Sequence, residues 1–179
     1  MNWFCERTGF DKVWEALFAR HIPEARGPVA WLYTLGSASL FVFMVQAVTG
    51  ALLAMNYVPS PDHAHDSVRF IGEKVLFGSF IRGLHHFGAS FMVALVVLHM
   101  LRVYFMGAYK YPREGTWMVG VLLLLVVLGF GFTGYLLPWD QKAYWATMVG
   151  TNIAGQTPVV GAMAAQVLKG GADMGPATL

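Results

Sequence analysis

Cysteine is almost missing from this chain. Cys5 is the only one in 179 residues, which excludes an internal disulfide framework and a four-cysteine metal site. Charge is scarce too: Asp, Glu, Lys and Arg make up 12% of the residues, and they nearly cancel at a net +2. No basic block is present, so no nucleic-acid partner is expected. The first 28 residues lack an apolar run, because Glu6, Arg7, Asp11, Lys12, Glu15, Arg20, Glu24 and Arg26 are scattered through them. A secretory signal peptide is therefore not expected.

What is present in excess is apolar surface. Hydrophobic residues make up 56% of the chain, too many for an ordinary soluble domain, and lipid is the expected surrounding. Three runs are long enough to cross a bilayer as helices, residues 31–57, 82–106 and 116–138. Trp31 and Tyr33 at one end of the first run and Tyr57 at the other suit the two interfaces. The expected class is all-α and integral to the membrane, organised as an N-terminal surface segment (1–30), a three-span domain (31–138) and a region of surface helices (139–179). In the first segment Phe10, Val13, Trp14, Leu17 and Phe18 share one helical face. A helix lying on the membrane and a small helix against a partner subunit both fit that pattern. Residues 60–78 read as a polar loop; His63 and His65 within it fit solvated side chains or a metal site. After Pro138, residues 139–150 and 158–168 read as short amphipathic helices. Lys and Arg weigh mildly toward the side that carries the N-terminus and the 107–115 hairpin, which predicts that side to be cytoplasmic or its equivalent, the negative side.

The second run, RGLHHFGASFMVALVVLHMLRVY, holds ionisable groups at membrane depth, where they are costly and a functional reading is the default. His85 and His99 are 14 positions apart. In a helix that spacing leaves them within roughly 40° of one face and about 21 Å apart along the axis. Imidazole ligates haem iron, so two haems stacked at two depths fit this helix. Two histidines bonded to neighbouring helices fit it as well.

The same interval recurs in glycine. Gly36 and Gly50 lie 14 apart in the first run, and Gly120 and Gly134 lie 14 apart in the third. Antiparallel neighbours would bring Gly50, His85 and Gly134 to one depth and Gly36, His99 and Gly120 to the other. A glycine lets a flat, bulky group approach the backbone; small residues also serve close helix packing. Three helices sharing one interval at matched depths favour two macrocycles. Arg82 and Arg102 stand one turn outward of His85 and His99, placed for carboxylates such as haem propionates or for snorkelling to the interface.

RGLHHFGAS with HMLR after it, PREGTW at the hairpin and GYLLPWDQKAYW after the third run resemble cytochrome b of the quinol-oxidising bc-type complexes. PWDQ and the short chain are most similar to the split form, cytochrome b6. The resemblance covers residues 20–179. It implies a four-helix bundle with two b-type haems, of which this chain supplies three helices. His85 would ligate the low-potential haem iron and His99 the high-potential one, with Arg82 and Arg102 at the propionates. Phe132, Tyr135 and Ala146 match positions that line the family's quinol-oxidation pocket. The implied activity is quinol:cytochrome c or plastocyanin-type acceptor oxidoreduction coupled to proton translocation. One electron would go to a Rieske iron–sulfur protein and on to a cytochrome c-type subunit, and the other would cross the membrane to quinone. The implied setting is a dimeric complex in an energy-transducing membrane, such as a bacterial plasma membrane.

Two departures from the family pattern carry expectations. Thr34 stands where cytochrome b6 has a cysteine anchoring an extra c-type haem, and CERTG around Cys5 is not a CxxCH motif; no covalent c-type haem is expected. The family's fourth helix, with its two further histidines, would begin where this sequence reaches Leu179. The second axial ligands are therefore expected from a C-terminal cytochrome b segment or subunit. A cytochrome b anchoring a dehydrogenase or hydrogenase, and a non-haem membrane bundle, are the alternatives from other classes.

Overall fold

A computed structural model describes residues 29–111 and 113–179. The amphipathic segment expected around residues 10–20, Cys5 and His21 lie outside the described residues. The chain divides into two units, residues 1–34 and 35–179. In the first, the described part is a single turn, α1 (Val29–Leu32), closed when Thr34 donates both its N–H and its hydroxyl to the Trp31 carbonyl at 3.1 and 2.7 Å.

The described residues of the second unit form six further α-helices: α2 (Leu35–Ala54), α3 (Ala64–Lys74), α4 (Gly78–Phe105), α5 (Glu114–Leu136), α6 (Gln141–Gly155) and α7 (Gly161–Lys169). No strand occurs among the described residues. α2, α4 and α5 are long and apolar enough to cross a membrane. The protein is therefore an all-α integral membrane protein with three spans among the described residues, as the composition predicts. α2 packs along α4 far more extensively than α5 does, and α6 packs on α7. Large apolar side chains on the spans, among them Phe41, Phe91, Leu122 and Phe130, are exposed. In a bilayer that surface faces lipid or another chain at no hydrophobic cost.

The boundaries shift for local reasons. The first span starts at Leu35 rather than Trp31, after the α1 turn, and ends at Ala54, where 3.1 and 3.4 Å bonds from Asn56 and Tyr57 to residues three back tighten the chain ahead of Pro59. The second begins at Gly78, four residues earlier than expected, because Phe77 takes a left-handed φ of 57° and resets the chain direction. The third spans Glu114–Leu136, ending ahead of Pro138, which cannot continue a helix.

Residues 60–78 are not a plain loop. They contain α3, whose buried stripe is Ala64, Ser67 and Ile71. That stripe has helical spacing but consists mostly of small or polar residues, so hydrophobic periodicity does not reveal it. α6 starts where expected: Asp140 is its N-cap, and its carboxylate accepts the Ala143 N–H at 2.7 Å. α6 reaches Gly155, five residues beyond the expected end. Thr147 and Thr151, both fully buried, satisfy their hydroxyls inside it by bonding back to the carbonyls four residues earlier, each at 2.9 Å. Gly170, at φ 71°, closes α7, with the Gly171 N–H reaching the Gln166 carbonyl at 3.2 Å.

Candidate functional site: two imidazoles seated on glycines

The seam between α2 and α4 is antiparallel and is built from glycine facing side chain. A Cβ added to Gly36 would lie 3.1 Å from Cε1 of His99, and one added to Gly50 would lie 3.1 Å from Cε1 of His85. Between them the roles reverse, with the amide of Gln46 resting directly on Gly88. Any side chain at Gly36 or Gly50 would crowd the imidazole ring opposite. Both histidines are thus held against α2 through the backbone of a glycine, one helix-length apart.

The two rings differ in their surroundings. His85 Nδ1 lies 2.9 Å from the Thr49 hydroxyl, and Thr49 is buried. Gln46, oriented to satisfy both ends of its amide, donates to the His85 carbonyl at 3.0 Å and accepts from the Ala89 N–H at 3.2 Å. The ring borders a cavity of about 490 Å³ with Gly50, Arg82, Phe130, Gly134 and Tyr135 among its walls, a size within the range of cofactor pockets. His86, next to His85, also lines it. At the other end, His99 Nδ1 is buried and has no hydrogen-bond partner among the described residues.

The remaining expected residues separate into those beside a histidine and those elsewhere. Gly134 stands in the wall of the His85 cavity with open space in front of its Cα. At Gly120 the nearest neighbour of an added Cβ is Met100 Sδ at 3.6 Å, one residue beyond His99. Arg82 reaches across the cavity mouth toward Gly72 on α3, 4.0 Å from where a Cβ would stand there. Arg102 is one turn beyond His99 on α4. Tyr135 lines the cavity, whereas Phe132 and Ala146 are not among its walls. Phe132 instead packs on α6, its ring so close to Gly150 that an added Cβ would lie 2.5 Å from it.

Four contributors escape a reading of the motifs: Gln46, Thr49, Tyr57 and α3. Gln46 and Thr49 are the polar side chains in the second half of an otherwise apolar span; the cost of polarity at that depth is a signal that marks them. Tyr57 donates to the Leu137 carbonyl at 2.7 Å, and His65 Nδ1 lies a long 3.4 Å from the Pro138 carbonyl. The segment after α2 is thereby tied to the turn between α5 and α6, over the mouth of the cavity. No sequence pattern signals those two contacts. No cluster of three metal-binding side chains occurs among the described residues, at His63 and His65 or elsewhere.

Fold and site together define a membrane protein whose described residues are helical, cross the bilayer three times and seat two imidazoles of one span on glycines of another. Residues 23–179 match the family described as Cytochrome b/b6/petB. The cytochrome b subunit of menaquinol:cytochrome c reductase from Bacillus subtilis (strain 168) is 44% identical over 177 residues, which is 97% of this chain and 79% of that protein. Cytochrome b6 of Heliobacterium mobile is 46% identical over 172 residues, 96% of this chain and 80% of that one. Among solved structures, a chain of a hyperthermophilic respiratory Complex III superposes with a TM-score of 0.79 at 32% identity; the match covers 99% of this chain and 47% of that longer one. The chain belongs to the cytochrome b/b6 family.

Proposed function

We propose that this chain is the haem-carrying part of the cytochrome b subunit of a quinol:cytochrome c-type oxidoreductase. It would conduct electrons between a quinol-oxidation site on one side of the membrane and a quinone-reduction site on the other. The observation that carries this reading is the paired seating of His85 on Gly50 and His99 on Gly36 at the same 3.1 Å. The residues fit b haem: imidazole is a donor that iron accepts, and the cavity at His85 has a glycine on each of two walls, where a planar ring can approach the backbone. A haem bound at each histidine would supply a one-electron couple at that depth.

The chain's own residues divide the remaining work. His85 and His99 fix two depths about 21 Å apart on one rigid helix, which sets the span the electron crosses. Arg82 and Arg102 place a guanidinium outward of each imidazole, where a propionate can be paired. Gly36, Gly50, Gly120 and Gly134 keep the walls flat. On the positive side, Tyr135, Phe132 and Ala146 are read as the quinol-oxidation wall, and the packing of Phe132 on Gly150 would fix how α6 closes it. The 107–115 hairpin is read as facing the negative side. The second axial imidazoles would come from a further cytochrome b helix, and a Rieske protein and a cytochrome c-type subunit would take the other electron. The relatives' names, menaquinol:cytochrome c reductase and cytochrome b6, support this assignment.

The test is optical redox titration of the assembled complex. His85→Leu and His99→Leu should each remove one b haem and leave the other. Loss of both from either change, with the chain inserted and assembled, or retention of both, would overturn the ligand assignment.

A further inference from the structure

The hydrogen bonds around His85 bear on which of its ring nitrogens carries the proton. Thr49 Oγ1 lies 2.7 Å from the Val45 carbonyl, 3.3 Å from the Gln46 carbonyl and 2.9 Å from His85 Nδ1. A hydroxyl has one hydrogen. The short bond to the carbonyl four residues back, the usual one for threonine in a helix, takes it. What Oγ1 turns toward the imidazole is then a lone pair, and Nδ1 must be the donor. A neutral imidazole has one N–H, so Nε2 is left with the free lone pair.

A competing contact exists. The Gln46 amide nitrogen lies 3.2 Å from Nδ1, and a second proton aimed there would force the opposite tautomer. One of that nitrogen's two hydrogens goes to the His85 carbonyl at 3.0 Å, and the other approaches Nδ1 only at 3.2 Å. The 2.9 Å contact, to an oxygen whose hydrogen is spent elsewhere, is the shorter and better-defined one. Thr49 is only 5% exposed, so water does not compete for its oxygen.

We propose that Thr49 is the positioning residue of His85: it accepts the Nδ1 proton, locks the ring orientation and commits Nε2 to the metal, and no residue described here does this for His99. The proposal rests on the reading of His85 as a haem ligand. An acceptor behind a ligating imidazole raises its basicity. A more basic ligand favours the oxidised, more highly charged iron and so lowers the reduction potential. The fold therefore makes the two sites electronically unequal through one hydroxyl on α2.

The test uses the assembled complex, with the two b haems told apart by His85→Leu and His99→Leu. Thr49→Val keeps the shape and deletes the acceptor; Thr49→Ser keeps the acceptor. Valine should raise the midpoint of the His85 haem, shifting its reduced-to-oxidised ratio at fixed ambient potential about three- to tenfold toward reduced. The His99 haem should not move, and serine should stay near the parent. If valine blocks assembly, alanine replaces it in the comparison with serine, at the same position and with the same expected direction. An unmoved potential, an equal shift with serine, or an equal shift of both haems would overturn the role of Thr49. A parent complex lacking b haem, or a His85→Leu complex retaining both haems, would overturn the ligand reading beneath it.

Discussion

The two ends of α4 carry the same side chain on the same kind of seat, yet they are built differently. At the His85 end, α2, α3, α5 and the turn into α6 converge. The ring has a hydroxyl behind it, a glutamine clamps its own helical turn, and Tyr57 ties the covering segment to the Leu137 carbonyl. At the His99 end the glycine seat is the same, but Nδ1 has no partner among the described residues and the Gly120 position is occupied by the thioether of Met100 rather than opening on a cavity. A buried polar group without a partner is unusual and costly in a native fold. The contrast teaches that seating an imidazole and orienting it are separate tasks. Glycine spacing accomplishes the first at both ends. Among the described residues, only the His85 end shows the second.

The largest effects should come from removing the rings themselves. His85→Leu and His99→Leu should each delete one haem, and the comparison sharpens if the His85 variant also loosens the cavity walls, read as increased protease access to the 55–63 segment. Next are the seats. Gly50→Val should disturb the His85 haem and Gly36→Val the His99 haem, each by overfilling a contact already at 3.1 Å, at about 1–3 kcal/mol. Redox titration distinguishes them, and a crossed response would mean that the pairing along the α2–α4 seam is inverted.

Smaller effects should be confined to the His85 end. Asp140→Ala removes the cap of α6 and should destabilise that helix by about 1 kcal/mol, seen as faster amide exchange over residues 141–146 with the His99 haem spectrum unchanged. Movement of the His99 spectrum would break the separation of the two ends. The smallest is Tyr57→Phe, which deletes one hydrogen bond worth about 1 kcal/mol. Burial pushes the Tyr57 phenol above its ordinary value. The folded chain then holds that proton more tightly than the unfolded one. The contribution is full below the ordinary phenol range of about 10 and is lost as pH rises through the raised folded value. Phenylalanine should remove this alkaline component from the pH dependence of thermal stability; an unchanged alkaline profile would assign it to other groups.

Legibility followed the physics of each element. α4 was readable because a charge-poor run that contains histidines has few interpretations at membrane depth. α6 was readable from Pro138, a helix stop, and from the amphipathic run that follows it. α3 was not, because its buried face is Ala64, Ser67 and Ile71, and a stripe of small residues has little hydrophobic contrast. Phe77 was not, since nothing in its side chain signals a positive φ. Gln46 and Thr49 were visible as polar residues in an apolar span, but their partner was not, since hydrogen-bond geometry across a helix seam depends on the relative rotation and offset of two helices.

By itself the sequence determined the three spans, the 14-residue intervals of histidine and glycine, and the family likeness carried by the motifs around them. Each of these depends on a period along one chain or on residue identity at a fixed position, and both are written in the order of residues. The tertiary structure alone decided that Gly50 rather than Gly134 lies under the His85 ring, that Phe132 packs on Gly150 away from the cavity, and that a threonine hydroxyl orients one imidazole while none described here orients the other. These depend on how far one helix slides and turns against its neighbour, a displacement of an ångström or two that close packing fixes and local sequence does not encode.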